Sequence, residues 1–145
     1  MKTFVSIFVV AIVAFLGVVR ARADSPPDTL IAALIQKESK GKDKAIGDTQ
    51  LPDHAYGPLQ IRQPCVDDVN RVCCTHYKAS DCLGNRTLSI WICREYINMY
   101  ATKTHIGHVP TTEDMARIWN GGGPQGFKIS RTLRYWADIK KLLGK

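Results

Sequence analysis

The sequence predicts a single, mainly α domain, interrupted after its first helix by a long irregular loop or a small β-hairpin. Three observations carry that prediction. Apolar residues recur at helical spacing in five separate stretches. Between the first two, Gly41 to Gly57 holds glycine, proline and polar residues, with only Ala45-Ile46 and Leu51 as apolar anchors. Once an N-terminal leader is set aside, residues 24–145 suffice for one core and are too few for two.

The leader is MKTFVSIFVVAIVAFLGVVRARA. Lys2 precedes an apolar run from Phe4 to Val19, and Ala21-Arg22-Ala23 suits cleavage after Ala23, the pattern of a secretory signal peptide over residues 1–23. The apolar run is shorter than the roughly 20 residues of a spanning helix, so a secreted, extracellular domain is expected rather than an anchored one. The leader carries three of the 20 basic residues (Lys2, Arg20, Arg22) and none of the 13 acidic ones, so the net charge falls from +7 to +4. Scattered basic residues with no long run argue against a nucleic-acid partner and against membrane disruption by a basic amphipathic helix. Cys65, Cys73, Cys74, Cys82 and Cys93 would meet an oxidising compartment, where two disulfides and one leftover thiol are expected. No C-x-x-C pair supports a metal site, and no cofactor motif is present. Asn85-Arg86-Thr87 is a glycosylation sequon in a eukaryotic chain.

In chain order, Asp24 to Asp28 is an extended lead in which Ser25 or Asp28 can cap the first helix. In that helix Leu30, Ile31, Leu34 and Ile35 form one apolar face, and Glu38 falls on the same face in the last turn before Gly41. Desolvation and the negative end of the helix dipole both favour its neutral form, which is what a general acid for glycosidic cleavage requires. Gln63-Pro64 starts a second helix ending near Tyr77, with Val66, Val69, Val72 and Cys73 inward. Lys78 to Arg86 reads as a connecting loop. From Thr87 a third helix presents Ile90, Trp91, Cys93, Ile97 and Tyr100 or Ala101 as a wide apolar face. Gly107 and Pro110 stop it, and Thr111 to Asp114 look like the cap and acidic first turn of a short helix ending at Asn120. A last helix over about 130–143 turns Leu133, Trp136, Ile139 and Leu143 inward.

Three segments stand out together: Glu38-Ser39, Ala55-Tyr56-Gly57-Pro58-Leu59-Gln60-Ile61, and Ala116 to Asn120 followed by Gly121-Gly122-Gly123-Pro124. In this order, and with Thr132-Leu133-Arg134-Tyr135-Trp136 after them, they resemble the lysozyme superfamily over nearly the whole mature chain. The resemblance is nearest to bacterial and phage lytic transglycosylase-like domains and, in the last segment, to invertebrate-type lysozymes. The resemblance implies a lysozyme-like fold and a muramidase that cleaves bacterial peptidoglycan between N-acetylmuramic acid and N-acetylglucosamine, and a monomer is expected. Glu38 matches the catalytic acid; Gln60 and Asn120 match amides that bind sugar or order the acid; Asp48 is the best match to the second carboxylate, with Asp53 and Asp43 as rivals. Tyr56 and Trp119 are candidates to touch substrate. Transglycosylase-like relatives manage without a second carboxylate, so hydrolysis and transglycosylation both stay open. The chain departs from the pattern in two places. The third segment reads N-G-G-G-P, one glycine longer than the N-G-G-P turn, and the cysteines do not follow the dense invertebrate-type arrangement, with Tyr56 where that family carries a cysteine; this turns the resemblance towards the transglycosylase-like branch. A non-catalytic peptidoglycan- or chitin-binding protein is the alternative of a different class.

Overall fold

The computed structural model describes residues 25–144, and the expected leader lies outside the described residues. Among these residues the chain forms helices α1 (Asp28–Ser39), α2 (Gln63–Cys73), α3 (Arg86–Tyr100), α4 (Lys103–Ile106), α5 (Thr112–Gly121) and α6 (Thr132–Leu142). Strands β1 (Ile46–Gly47) and β2 (Ala55–Tyr56) pair antiparallel between α1 and α2, so the segment after the first helix is a small hairpin within a long loop. None of the described helices is long and apolar enough to cross a membrane.

The first helix forms as its pattern requires. Leu30, Ile31, Leu34 and Ile35 are all buried. Neither Ser25 nor Asp28 caps it; the Pro27 carbonyl accepts from Leu30 and Ile31, and Arg94 of α3 holds the lead by donating to the Pro26 carbonyl (2.6 Å), to Ser25 (3.1 Å) and to Asp28. At the other end Lys40 turns left-handed (φ 55°), and the N–H groups of Lys40 and Gly41 close onto the carbonyls of Gln36 and Ile35.

The second helix stops at Cys73, four residues before the expected end, and Val72 is 51% exposed. Asn70 is the reason. Its side chain accepts from the Thr75 hydroxyl (2.8 Å) and the Tyr77 N–H (3.0 Å) and donates to the Tyr77 carbonyl (2.8 Å), gathering the chain into a turn where a helix would continue. The third helix is rotated from the expected face: Ser89, Ile92, Cys93, Tyr96 and Ile97 are buried, whereas Ile90 and Trp91 are half-buried. Ser89 can be inside because its hydroxyl lies 2.8 Å from the Asn85 carbonyl and 3.2 Å from that of Cys82. The segment expected as a plain connecting loop contains a 3₁₀ turn, Ala79–Cys82, with Ala79 and Cys82 buried.

The sixth helix is also rotated. Leu133, expected inward, is 51% exposed, and Thr132, Tyr135 and Ile139 take the buried face. Thr132 sets that rotation: its hydroxyl sits 2.7 Å from the Ile129 carbonyl and accepts from the Arg117 guanidinium of α5 at 2.9 Å. The core lies where α1, α3, α5 and α6 pack together, with Leu34, Ile92, Ile97, Ile118 and Ile139 at its centre.

All five cysteines are unpaired, in place of the two disulfides expected. Cys82 and Cys93 sit in the core, and Cys74 is exposed at the end of α2. Burial pushes the Cys82 thiol up to about 11 and also raises those of Cys65 and Cys93, so all three stay protonated at neutral pH.

Candidate active site

A cleft of about 510 Å³ runs between the hairpin and the C-terminal end of α5, and the last turn of α1 opens into it. Glu38, Asp48, Gln60, Trp119 and Asn120 line it together, although 82 positions of sequence separate the first from the last. Tyr56 does not line it; its ring lies beside that of His54, with centroids 6.1 Å apart.

Glu38 is half-buried on α1. Its Oε1 accepts a 2.6 Å hydrogen bond from the Tyr135 hydroxyl, and the Trp119 indole N–H also donates to the carboxyl. Burial pushes the acid above its ordinary value, and the Asp48 charge adds to that rise. The bonds from Tyr135 and Trp119 and the nearby Lys37 ammonium oppose it without cancelling it. The result is a carboxyl biased towards its protonated form yet held in one orientation by two donors.

Asp48 lies in the loop after β1, in the left-handed conformation (φ 53°), and pairs with the Arg62 guanidinium. Of the three candidate second carboxylates it alone lines the cleft. Asp43 pairs with Arg86 at 2.7 Å on the far side of the loop, and Asp53 is exposed with its carbonyl accepting from Arg62.

Gln60 is built into the hairpin. Its backbone is left-handed (φ 51°), and its amide donates to the carbonyls of Gly57 (2.9 Å) and Ala45 (3.4 Å). The carbonyl oxygen of the same amide lies so close over Gly47 that a Cβ there would collide with it, which explains glycine at that position. Asn120 is exposed at the end of α5. The longer glycine run is accommodated by Tyr96, whose hydroxyl accepts from the Gly123 N–H at 2.6 Å while its ring meets Trp119 edge-on at 5.9 Å. Gly121 and Gly126 press backbone to backbone, closing the turn beyond Asn120. No group of three or more His, Cys, Asp or Glu side chains among the described residues could hold a metal ion.

Tyr135, Tyr96 and Arg62 were not singled out from sequence as site residues. For Tyr135 a signal exists in its place within the T-x-x-Y-W stretch, whereas Tyr96 and Arg62 carry none.

No family model matches the sequence, and no curated protein sequence matches it. Solved structures do. Lysozyme from Meretrix lusoria with a bound inhibitor superposes with a TM-score of 0.66 at 23% identity, covering 79% of this chain and 88% of that one. Tapes japonica lysozyme gives 0.65 at 27% identity, covering 79% and 89%. The fold is that of a lysozyme. The Meretrix lusoria enzyme is also similar as solved in complex with Aeromonas hydrophila PliI, with a TM-score of 0.66 at 23% identity over 79% and 88% of the two chains. These neighbours are invertebrate-type lysozymes, to which the third sequence segment is similar, and not members of the transglycosylase-like branch towards which the cysteine pattern turns the sequence reading. Within this lysozyme-like fold, the carboxyl-bearing end of the first helix faces the hairpin across the cleft.

Proposed function

We propose that the protein is a secreted glycosidase of the lysozyme type, a bacteriolytic muramidase of defence or digestion. Its bond is the β-1,4 linkage between N-acetylmuramic acid and N-acetylglucosamine in peptidoglycan. One observation carries the reading: Glu38, raised above its ordinary pKa by burial, faces a cleft lined by neutral amides. A protonated carboxyl there gives its proton to the glycosidic oxygen as the bond to the anomeric carbon breaks. Trp119 offers an apolar face to a sugar ring and Asn120 an exposed amide suited to an N-acetyl group, while Gln60, its amide donors taken by the Gly57 and Ala45 carbonyls, orders the hairpin wall of the cleft. Asp48 supplies the negative charge that an oxocarbenium-like transition state needs, as nucleophile or as electrostatic partner. Its pairing with Arg62 favours a second mechanism as well, in which the acetamido group of the substrate attacks the anomeric carbon and Asp48 is not the nucleophile. The leader at residues 1–23 supports secretion.

The test is the mass of products released from purified peptidoglycan by residues 24–145. Fragments with reducing ends mark hydrolysis, and fragments with anhydro ends mark transglycosylation. Tight binding without fragments would replace the enzyme by a peptidoglycan- or chitin-binding protein.

A further inference from the structure

We infer that Arg62 reads a carboxylate on the substrate strand and makes the cleft selective for muramic-acid-containing glycan over neutral chitin. The inference deepens the glycosidase reading and rests on it. The two polymers share the same N-acetylated, β-1,4-linked backbone. They differ in the lactyl ether at C3 of every second sugar of peptidoglycan, which ends in a carboxylate or in a stem peptide that carries its own carboxylates. A cleft that distinguishes them needs a group that recognises an anion at that edge of the strand.

Among the described residues that line the cleft, Arg62 is the one cation, set against Glu38 and Asp48. Its placement is fixed from both sides. Ile61 exchanges two 2.9 Å backbone hydrogen bonds with Tyr56, and Arg62 itself, extended at φ −108° and ψ 159°, is the residue from which α2 starts. One terminal nitrogen donates to Asp48, and the other donates to the Asp53 carbonyl at 3.3 Å. A guanidinium has five N–H donors in a planar fork, so these two bonds leave donors free, and the side chain is 40% exposed. Charge balance points the same way. With Glu38 protonated, Asp48 alone would make the cleft repel an anionic strand; Arg62 offsets that charge and keeps N–H donors free for a carboxylate.

Binding is measured calorimetrically in the Glu38→Gln background, so that no ligand is consumed. Three tetrasaccharides serve as probes: chitotetraose, a muramic-acid strand with free lactyl carboxylates, and the same strand bearing stem peptides. The two anionic strands are expected to bind at least about 10-fold more tightly than chitotetraose. Of the two, the tighter binder identifies whether lactyl or peptide carboxylate is read. Arg62→Gln removes the preference while leaving chitotetraose affinity within about twofold, Arg62→Lys keeps part of it, and high salt narrows it. Asp48→Asn, which leaves Arg62 in place, widens the preference. Equal losses for neutral and anionic ligands in Arg62→Gln, or a preference that Arg62→Gln leaves unchanged, would overturn the inference. Turnover is assayed separately on the wild-type chain. A wild type that cuts no glycan removes the glycosidase reading, while the binding comparison still decides the role of Arg62.

Discussion

Tyr135 of α6 donates a 2.6 Å hydrogen bond to Glu38 of α1, across 97 residues of sequence. Burial, with the neighbouring Glu38 charge, raises the Tyr135 phenol far above its ordinary range, so it is a donor at every working pH. A donor favours the ionised form of its acceptor, and Tyr135 therefore restrains the upward shift of Glu38 while fixing its direction.

Tyr135→Phe releases that restraint. Glu38 then stays protonated to higher pH, and the alkaline limb of the kcat/KM profile moves upward. The rate constant kcat falls by roughly 10-fold, because the acid is less well aimed. A pH-rate profile of the variant checks both, and an alkaline limb that moves downward would contradict the role given to the hydroxyl.

Glu38 also couples stability to pH. Its folded pKa lies above the unfolded value of 4.5, so the folded state holds the proton longer and stability declines as pH rises from 4.5 through the folded pKa. Glu38→Gln is neutral at all pH and keeps an oxygen that accepts from Tyr135. Thermal unfolding is expected to show this variant more stable than the wild type at pH 7, with the gap closing near pH 4.

Asp114 behaves in the opposite sense. It closes the capping box of α5, accepting from the Thr111 N–H (2.9 Å) and hydroxyl (2.7 Å), and its Oδ2 lies 2.9 Å from His108 Nε2. Burial alone would raise its pKa, but the Thr111 bonds and the His108 contact outweigh burial and hold it below 3.8. Its contribution is therefore present above the unfolded pKa and is lost as pH falls through the folded one. Asp114→Ala costs about 1 kcal/mol at pH 6, a fall of roughly 3–5 °C in Tm, and the deficit narrows as pH falls below 3.8. Melting curves across that range measure it.

Gly47→Ala places a methyl group against the Gln60 amide. Displacing that amide disturbs its bonds to Gly57 and Ala45, and the hairpin side of the cleft moves with it. A destabilisation of about 1–3 kcal/mol is expected, together with a raised KM.

Much of the fold is legible in the sequence because local chemistry and tertiary packing agree there. The apolar stripe of α1 has one solution, and Glu38 follows from it; Thr111 and Asp114 mark the start of α5 by cap chemistry alone. The rotations of α3 and α6 are not legible in the same way. In α6 the sets Leu133/Trp136/Ile139 and Thr132/Tyr135/Ile139 both have helical spacing, and the choice falls to bonds that Thr132 makes with Arg117 and Ile129. The hydroxyl on Glu38 is hidden for that reason. Ser89 rotates the expected face of α3 through its bonds to the Asn85 and Cys82 carbonyls, keeping Cys93 and Ile97 inside, and so turns Tyr96 towards the cleft. Arg62 is invisible as a site residue because the loop that carries Asp48 meets the start of α2 only in the folded chain.

Clearing of a Gram-positive cell-wall suspension by the purified mature chain, compared with its Glu38→Gln variant under identical conditions, tests the central claim most directly. Clearing by the wild type, reduced by at least about 100-fold in a folded Glu38→Gln chain, is the expected result. Clearing at an unchanged rate by Glu38→Gln would contradict it, because the proton would then have to come from another group.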